Sequence, residues 1–385
     1  MKVFFLVKHL VKPLQVLLLT STPFCALAQG QDLVDEGSGW FEDVLEFFGS
    51  SNEIDLSNGM DWGVLPGPFA NPEQGIGIGV AAVGLYAPQG LEVNQISTLT
   101  LSGYVSSEGT YGIGVANTTF LNENQWKLGL MARLSQTPSK YWGIGKEAAE
   151  DDGNETDHEA VYLNVEPTVS YQFVDNYFIK TGVAATFLYH QSSDGTALDP
   201  EQLENKTNLG IILGIEYDTR DYETNPYTGR LVSLEHRWFV EAFGADYKYE
   251  EYTFNYREYW NLYEQNVLAL DYFVQGLSDS DLPWFAMSKL GGDNRMRGYY
   301  YGRYRDRYQM AAQLEYRHKF NERHGAVIWG GAGNIAPHFK GLFEDSWLPT
   351  YGVGYRFAFK PRVNVRLDLG FGDETTVYFN IHEAF

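Results

Sequence analysis

The sequence predicts an all-β fold, a 16-stranded antiparallel transmembrane β-barrel preceded by a short N-terminal helical segment. Three observations carry this reading. A secretory leader opens the chain, segments of period-two hydrophobicity fill it from Gly75 onward, and the connections between those segments alternate between short and long.

In the leader, Lys2, Lys8 and Lys12 precede an apolar stretch from Leu14 to Leu27, and Ala26-Leu27-Ala28 is a small-x-small cleavage motif. Residues 1–28 therefore read as a signal peptide, with the mature chain starting at Gln29. The apolar stretch is too short to cross a bilayer as a helix, and no other segment has the length of continuous apolar residues that a spanning helix needs. The single cysteine, Cys25, lies in the leader, so the mature chain is expected to have no disulfide and no thiol chemistry.

Composition agrees with strands rather than long helices. Aromatic residues make up 16% of the chain, and its 40 glycines supply turns. Mean hydropathy is -0.31, which a barrel reaches because its apolar outer face alternates with a polar inner one. The net charge of -22 lacks the basic footprint of a nucleic-acid binder and reads as solvated surface.

Sixteen segments show the strand pattern: 75–86, 94–105, 110–121, 125–135, 140–146, 160–173, 176–191, 206–220, 229–243, 250–263, 265–278, 308–320, 324–334, 346–360, 363–372 and 375–385. In 208–218, Leu209, Ile211, Leu213, Ile215 and Tyr217 share a face opposite Asn208, Gly210, Ile212, Gly214, Glu216 and Asp218. In 364–371, Val365, Leu367, Leu369 and Phe371 oppose Arg366 and Asp368. In 252–262, Phe254, Tyr256, Trp260 and Leu262 oppose Thr253, Asn255, Arg257 and Asn261, with Glu258 interrupting the apolar face. One apolar and one polar face suits lipid outside and water inside. Short turns such as Val174-Asp175 and Pro361-Arg362 alternate with the long connections 147–159, 192–205, 279–307 and 335–345. An even count puts both ends of the barrel on the periplasmic side. A soluble β-sandwich would have to wrap all these strands around one apolar core behind a secretory leader, a less economical solution.

Three regions follow from these boundaries: the leader 1–28, a periplasmic N-terminal segment 29–73, and the barrel 74–385. Within the second, Trp40, Phe41, Val44, Leu45, Phe47 and Phe48 fall near helical spacing before Gly49, which predicts a short amphipathic helix. The lumen, the periplasmic rim and solvent are all open to it.

At the C-terminal end, Val377, Phe379, Ile381 and Phe385 fall on one face, interrupted at Glu383. Alternate apolar residues running to a final Phe resemble the recognition strand that delivers barrels for insertion. On that resemblance Phe379, Ile381 and Phe385 form a C-terminal insertion signal, and the barrel-assembly machinery is expected to handle this chain.

One long loop stands apart. Gly291-Gly292, Arg297-Gly298-Tyr299, Gly302-Arg303-Tyr304-Arg305-Asp306 and then Glu315-Tyr316-Arg317 resemble the BamA/TamA family of outer-membrane barrels, the bacterial surface antigen family. Asp218-Thr219-Arg220-Asp221 with Pro226 and Gly229 resembles that family's turn between strands eight and nine. Pro66-Gly67-Pro68 through Gly79 resembles the approach to its first strand, so the resemblance covers residues 62–385. It implies that the loop between strands eleven and twelve folds into the lumen with Arg297, Gly298 and Tyr299 at its tip. It also implies that Arg297 pairs with Glu315 and with an acidic residue on strand thirteen. Here strand thirteen reads Trp329-Gly330-Gly331-Ala332-Gly333, without that acid, and Asp368 is the substitute partner. The physics runs the same way: a poorly hydrated guanidinium needs carboxylates, it can engage them bidentately, and Gly298 lets the chain turn beside it. The competing reading is a solvent-exposed basic loop, since Arg295, Arg303, Arg305 and Arg307 are close by.

No catalytic constellation is legible. None of the eight histidines forms a metal-binding spacing, and no Gly-x-Ser-x-Gly elbow occurs. Gly75 to Gly79 is not followed by a helix, so it is not a dinucleotide fingerprint. The acidic run Glu150-Asp151-Asp152 with Glu155, Asp157 and Glu159 reads as a solvated loop before a cation site. No enzyme activity, cofactor or metal is expected.

The resemblance implies inserting barrels into the outer membrane or moving polypeptide across it. Both activities use periplasmic POTRA modules, and about 45 residues between Gln29 and Gly75 are too few for one such domain. The expectation is therefore a stand-alone barrel with a plugged lumen and a seam between its first and last strands, related to outer-membrane protein or lipid assembly or translocation. The alternative is a passive pore or surface receptor lined by Glu216, Arg257, Asp271 and Arg366. Expected partners are outer-membrane lipid and lipopolysaccharide, a second copy of the chain or a separate periplasmic protein, and no nucleic acid.

Overall fold

The computed structural model describes residues 43, 46–51, 53–71, 73–88, 95–194, 198, 200–278 and 282–385. The segment read as a signal peptide and most of the one read as an amphipathic helix lie outside the described residues. The chain divides into two compact units, Met1–Val44 and Leu45–Phe385, and the second holds every strand.

Its strands are β1 (Met60–Asn71), β2 (Gly75–Tyr86), β3 (Ser97–Ser106), β4 (Tyr111–Leu121), β5 (Trp126–Tyr141), β6 (Thr156–Val174), β7 (Tyr177–Ser193), β8 (Lys206–Asp218) and β9 (Gly229–Phe239). They continue with β10 (Tyr249–Tyr263), β11 (Asn266–Leu277), β12 (Ser288–Lys289), β13 (Arg305–Asp306), β14 (Tyr308–Lys319), β15 (His324–Ala336), β16 (Leu348–Lys360), β17 (Val363–Phe371) and β18 (Thr375–Ile381). One helix, α1 (Lys146–Glu150), lies in the β5–β6 loop. Sixteen strands pair in sequence order, each antiparallel to the next, while β12 and β13 form a small ladder of their own inside the β11–β14 connection.

The alternation in the sequence accounts for the wall. Ile76 and Ile78 on β2, Leu213 and Ile215 on β8, and Leu367 on β17 face outward, whereas Asn208, Glu216, Arg366 and Asp368 point inward and are buried. This is the two-faced strand of a barrel in lipid. Aromatic pairs mark the end with short turns, where Trp126 meets Tyr171 at 4.6 Å between ring centroids and Tyr177 meets Tyr217 at 4.7 Å. Amphipathic rings at that height suit the membrane interface. No helix among the described residues is long and apolar enough to cross a membrane.

The strand count agrees with the sequence reading, but by two compensating differences. The first barrel strand is Met60–Asn71, inside the stretch read as periplasmic, so the barrel begins before residue 74. Two prolines and two glycines hid it, because Pro is rare in a strand except at an edge. The segment 140–146 is not a separate strand. Residues 126–135 and 140–141 belong to one continuous β5, and Lys146 opens α1. The alternation fades at Gln136–Ser139 because the strand there rises above the lipid and both faces become polar.

The closure of the barrel is incomplete. β1 and β18 lie side by side, and a Cβ placed on Gly67 would come within 2.6 Å of the Phe379 ring. Yet no ladder joins the two strands among the described residues. The chemistry of β1 explains this. The Val64 N–H points away from β2 and donates to the Phe48 carbonyl at 2.7 Å. Successive residues in an antiparallel strand alternate in the direction of their N–H groups. Positions 66 and 68 therefore share Val64's outward direction, and both are proline, which has no N–H to give. From Val64 to Pro68 the outer edge of β1 has one donor, already used, and two positions where a donor is missing.

Residues 48–51 fill the periplasmic half of this gap. Ser51 N–H and the Ser50 hydroxyl both donate to the Phe359 carbonyl at the end of β16, at 3.2 and 2.8 Å. Gly49 sits at φ 86°, with the Trp62 carbonyl oxygen inside contact distance of where a Cβ would stand, so only glycine fits this bridge.

The end of the chain also departs from the sequence reading. β18 stops at Ile381, His382 adopts φ 68°, and Glu383 to Phe385 turn into the lumen. Phe385 does not continue the outer face of Val377. It is buried against Tyr259, Val267 and Ala269 on β10 and β11. Glu383 draws it there: its carboxylate accepts from Arg356 Nε at 2.7 Å and Asn364 Nδ2 at 2.6 Å, and Arg317 Nη2 donates to the Phe385 carbonyl at 2.8 Å.

Candidate functional site

The connection between β11 and β14 is far longer than a hairpin needs, and it folds into the lumen. Its descent ends at Met296 and Gly298, both in the left-handed region at φ 52° and 101°. At Gly298 a Cβ would stand 2.5 Å from Gly372 N and from Phe371 C, so the tip lies flush against the β17–β18 turn. Glu374 N–H donates to the Gly298 carbonyl at 2.9 Å, and Gly298 N–H donates to the Tyr378 hydroxyl at 3.2 Å. Tyr299 reaches the other way, its hydroxyl donating to the Pro349 carbonyl at 2.7 Å.

Arg297 occupies the centre and is fully buried. Its Nη1 donates to Asp368 Oδ2 at 2.6 Å and its Nη2 to Glu315 Oε2 at 2.8 Å. The guanidinium lies 3.5 Å from the centroid of the Trp329 ring, a close cation–π stack. The Thr350 hydroxyl donates to the Arg297 carbonyl at 2.5 Å. Glu315, on β14, and Trp329, on β15, are cross-strand partners, so one register fixes both a carboxylate and the ring beside it. No acid is needed on β15 because Asp368 of β17 supplies the second contact.

A wider network surrounds this pair. Glu315 Oε1 accepts from Arg317 Nε at 2.9 Å, Asp368 Oδ1 from Arg356 Nη1 at 2.5 Å, and Asp368 Oδ2 from Arg366 Nη1 at 3.0 Å. Arg366 also holds the loop through Asp293 Oδ2 and Asn294 Oδ1, both at 3.1 Å. Arg297, Arg317, Arg356 and Arg366 thus face Glu315, Asp368, Glu383 and Asp293. Such balance lets charges sit where an isolated one would be too costly. The sequence pointed to Arg297, Gly298, Tyr299, Glu315 and Asp368, and the fold brings all five together. It gave no part in the site to Trp329, Thr350, Tyr378 or Arg356, while Arg317 stood in the quoted motif and Arg366 on the inward face of its strand. The inward parity of Arg356 and Arg366 was the available signal.

The loop also binds the extracellular side. Arg303 Nε donates to the Ala149 carbonyl of α1 at 2.9 Å and its Nη2 to Asp152 at 2.7 Å, while Tyr301 N–H donates to Glu73 Oε1 at 2.7 Å. Leu290, Met296, Tyr299 and Tyr304 pack with Ala149, Ala311 and Ile335 into an apolar cluster beneath the outer loops. Two members of the acidic run in the β5–β6 loop meet bases, Asp152 with Arg303 and Glu155 with Lys140, the latter at 2.5 Å. Among the described residues no group of three His, Cys, Asp or Glu converges as a metal site. The lumenal polar residues considered as a pore lining are themselves paired, Arg257 with Asp271 at 2.9 Å and Glu216 with Lys127 at 3.5 Å. Between the loop and the wall from β1 to β11 remains a chamber of about 1070 Å³ whose lining reaches the β1–β18 seam.

The sixteen-strand barrel agrees with what the sequence match shows: residues 94–335 match the Omp85 superfamily domain. The chain belongs to the Omp85 superfamily. Two solved Omp85-like structures share its fold at low identity. BamA from Haemophilus ducreyi lacking POTRA domains 1-3 is 11% identical, with 89% of this chain and 77% of that one covered and a TM-score of 0.51. CdiB from Acinetobacter baumannii is 12% identical, with 83% and 59% covered and a TM-score of 0.54, so the chain spans under two thirds of that protein. No curated protein sequence matches it. Membership in the Omp85 superfamily places the chain in the bacterial outer membrane, as a BamA/TamA-like barrel.

Proposed function

We propose that this Omp85 barrel works at its β1–β18 seam, in the assembly or translocation of outer-membrane protein or lipid, while Arg297 latches the lumenal loop as a plug. The unladdered seam carries the reading. Pro66 and Pro68 strip the outer edge of β1 of donors, so the seam parts without breaking a full row of hydrogen bonds. BamA and CdiB, which share the fold, lend the family context of assembly and secretion. A passive pore is disfavoured because the loop occupies the lumen from outside and Phe385 packs into its periplasmic end. The reading assigns no bond-making chemistry to the barrel, and a non-enzymatic role is part of the proposal. Lipid and a client polypeptide at the seam are the proposed partners.

With 75–86 as the first strand, a cross-link over the seam would join Gly79 and Val377. With β1 as the first strand, the facing positions become Gly67 and Phe379. A G67C/F379C pair has no competing thiol once the leader is gone, and removal of the Phe379 ring makes the room that a Cβ at Gly67 requires. In proteoliposomes that follow the folding of a second barrel protein, oxidation is expected to stop activity and reductant to restore it. Equal activity in the oxidised and reduced states would show that the seam need not open.

A further inference from the structure

We propose that the lumenal chamber is a binding site for an anionic group of the phosphate type, held between Lys289 and Arg305 of the loop and Arg133 of the wall. The small β12–β13 ladder sets Lys289 directly opposite Arg305. Like charges at a cross-strand pair repel. A neighbouring carboxylate would relieve this, yet none lies within ion-pair distance of either side chain among the described residues.

Arg305 is 3% exposed. Its Nε donates to the Gly302 carbonyl at 2.6 Å and its Nη2 to the Lys140 carbonyl at 3.4 Å, while its Nη1 has no partner among the described residues. Its guanidinium lies 5.0 Å from the Tyr141 ring and 5.4 Å from Trp284. Among the described residues, Lys289 Nζ has the Tyr301 ring 5.9 Å away, and Arg133 has the Tyr104 ring, also at 5.9 Å. All three cations line the same chamber. Burial, and after it the charge of Arg305, pushes the Lys289 ammonium down to about 7, which an anion between the two would reverse.

The other charged groups around the chamber are already engaged. Arg237 holds Glu166 at 3.1 Å and lies 3.6 Å from Glu251, and Arg295 holds Asp271 at 2.5 Å. Arg366 holds Asp293, and Glu73 accepts from the Tyr301 amide. In a chain where acidic residues outnumber basic ones by 50 to 28, three cations without carboxylates around one space call for an external anion.

Two sources carry this chemistry: a membrane lipid with a phosphate headgroup, or a soluble phosphate compound. The chamber lining includes Leu65, Gly67, Phe69 and Phe379 at the seam, an apolar margin suited to an acyl chain. Only passage of a lipid through that margin rests on the seam reading; the cation site stands without it.

The test titrates the folded barrel, in an uncharged detergent, with inorganic phosphate and with short-chain phosphatidic acid, followed by phosphorus NMR. Wild type is expected to bind at least one of them, and K289Q/R305Q to weaken binding at least tenfold at unchanged heat-modifiable migration. R133Q, which leaves the loop intact, is expected to weaken it several-fold and serves if the double variant misfolds. The exposed-site variant K340Q is the control and is expected to match wild type. Tighter binding of phosphatidic acid than of phosphate supports a lipid source, and equal binding supports a soluble one. A wild type that binds neither, or variants that bind as well as wild type, would overturn the site. A seam that proves closed would remove lipid access from a bilayer and leave the phosphate titration unchanged.

Discussion

Replacing Arg297 with alanine is expected to free the lumenal loop while leaving the strands paired. Breaking a buried ion pair costs about 3–5 kcal/mol, much of it from the partner left uncompensated. Here the low end applies. Asp368 keeps Arg356 and Arg366, and Glu315 keeps Arg317, so neither carboxylate is abandoned. Even about 3 kcal/mol shifts a docked-to-free ratio more than a hundredfold. In R297A, protease sites between 289 and 307 are expected to become accessible, and the folded barrel to unfold at a lower temperature on heat-modifiable gels. R297K is expected to fall between, since an ammonium cannot bridge two carboxylates in the same fork or stack on Trp329 as a planar cation does. A loop equally protected in R297A and wild type would remove the latch.

Deletion of residues 289–307 is expected to convert a nearly closed barrel into an open one. Sixteen-stranded barrels with unfilled lumens conduct water and ions. With the loop in place, planar-bilayer recordings are expected to show small, flickering openings. Without it, a steady and larger conductance is expected, limited by the Phe385 end that still packs into the periplasmic side of the lumen. Large steady conductance in the wild type would favour the pore reading.

These expectations depend on features that differed in how openly the sequence displayed them. β8 and β17 were legible because each crosses the lipid with a strict alternation, and burial on one face is what enforces it. β1 was not, because the residues that make it a poor strand, Pro66, Gly67 and Pro68, are the ones that suit it to an unpaired edge. Local propensity there opposed the tertiary role. β5 read as two strands because alternation reports lipid, and the strand outruns the lipid near Pro138. Arg297 could be paired with Glu315 and Asp368 through inward parity and a resemblance. Trp329 could not, since nothing in period two distinguishes an inward Trp that stacks on a cation from one that fills space. Glu383 was visible as a break in the last apolar face, and the structure gives that break its cause: an attraction to Arg356 that turns Phe385 inward.

The seam is the feature on which the functional reading depends, and amide exchange along β18 tests it most directly. In micelles, alternate amides of Thr375–Ile381, those turned from β17 toward β1, are expected to exchange at rates typical of loops, while the intervening amides and those of β8 to β11 stay protected. Continuous protection along β18 would mean that β1 and β18 are zipped together and that the barrel is closed.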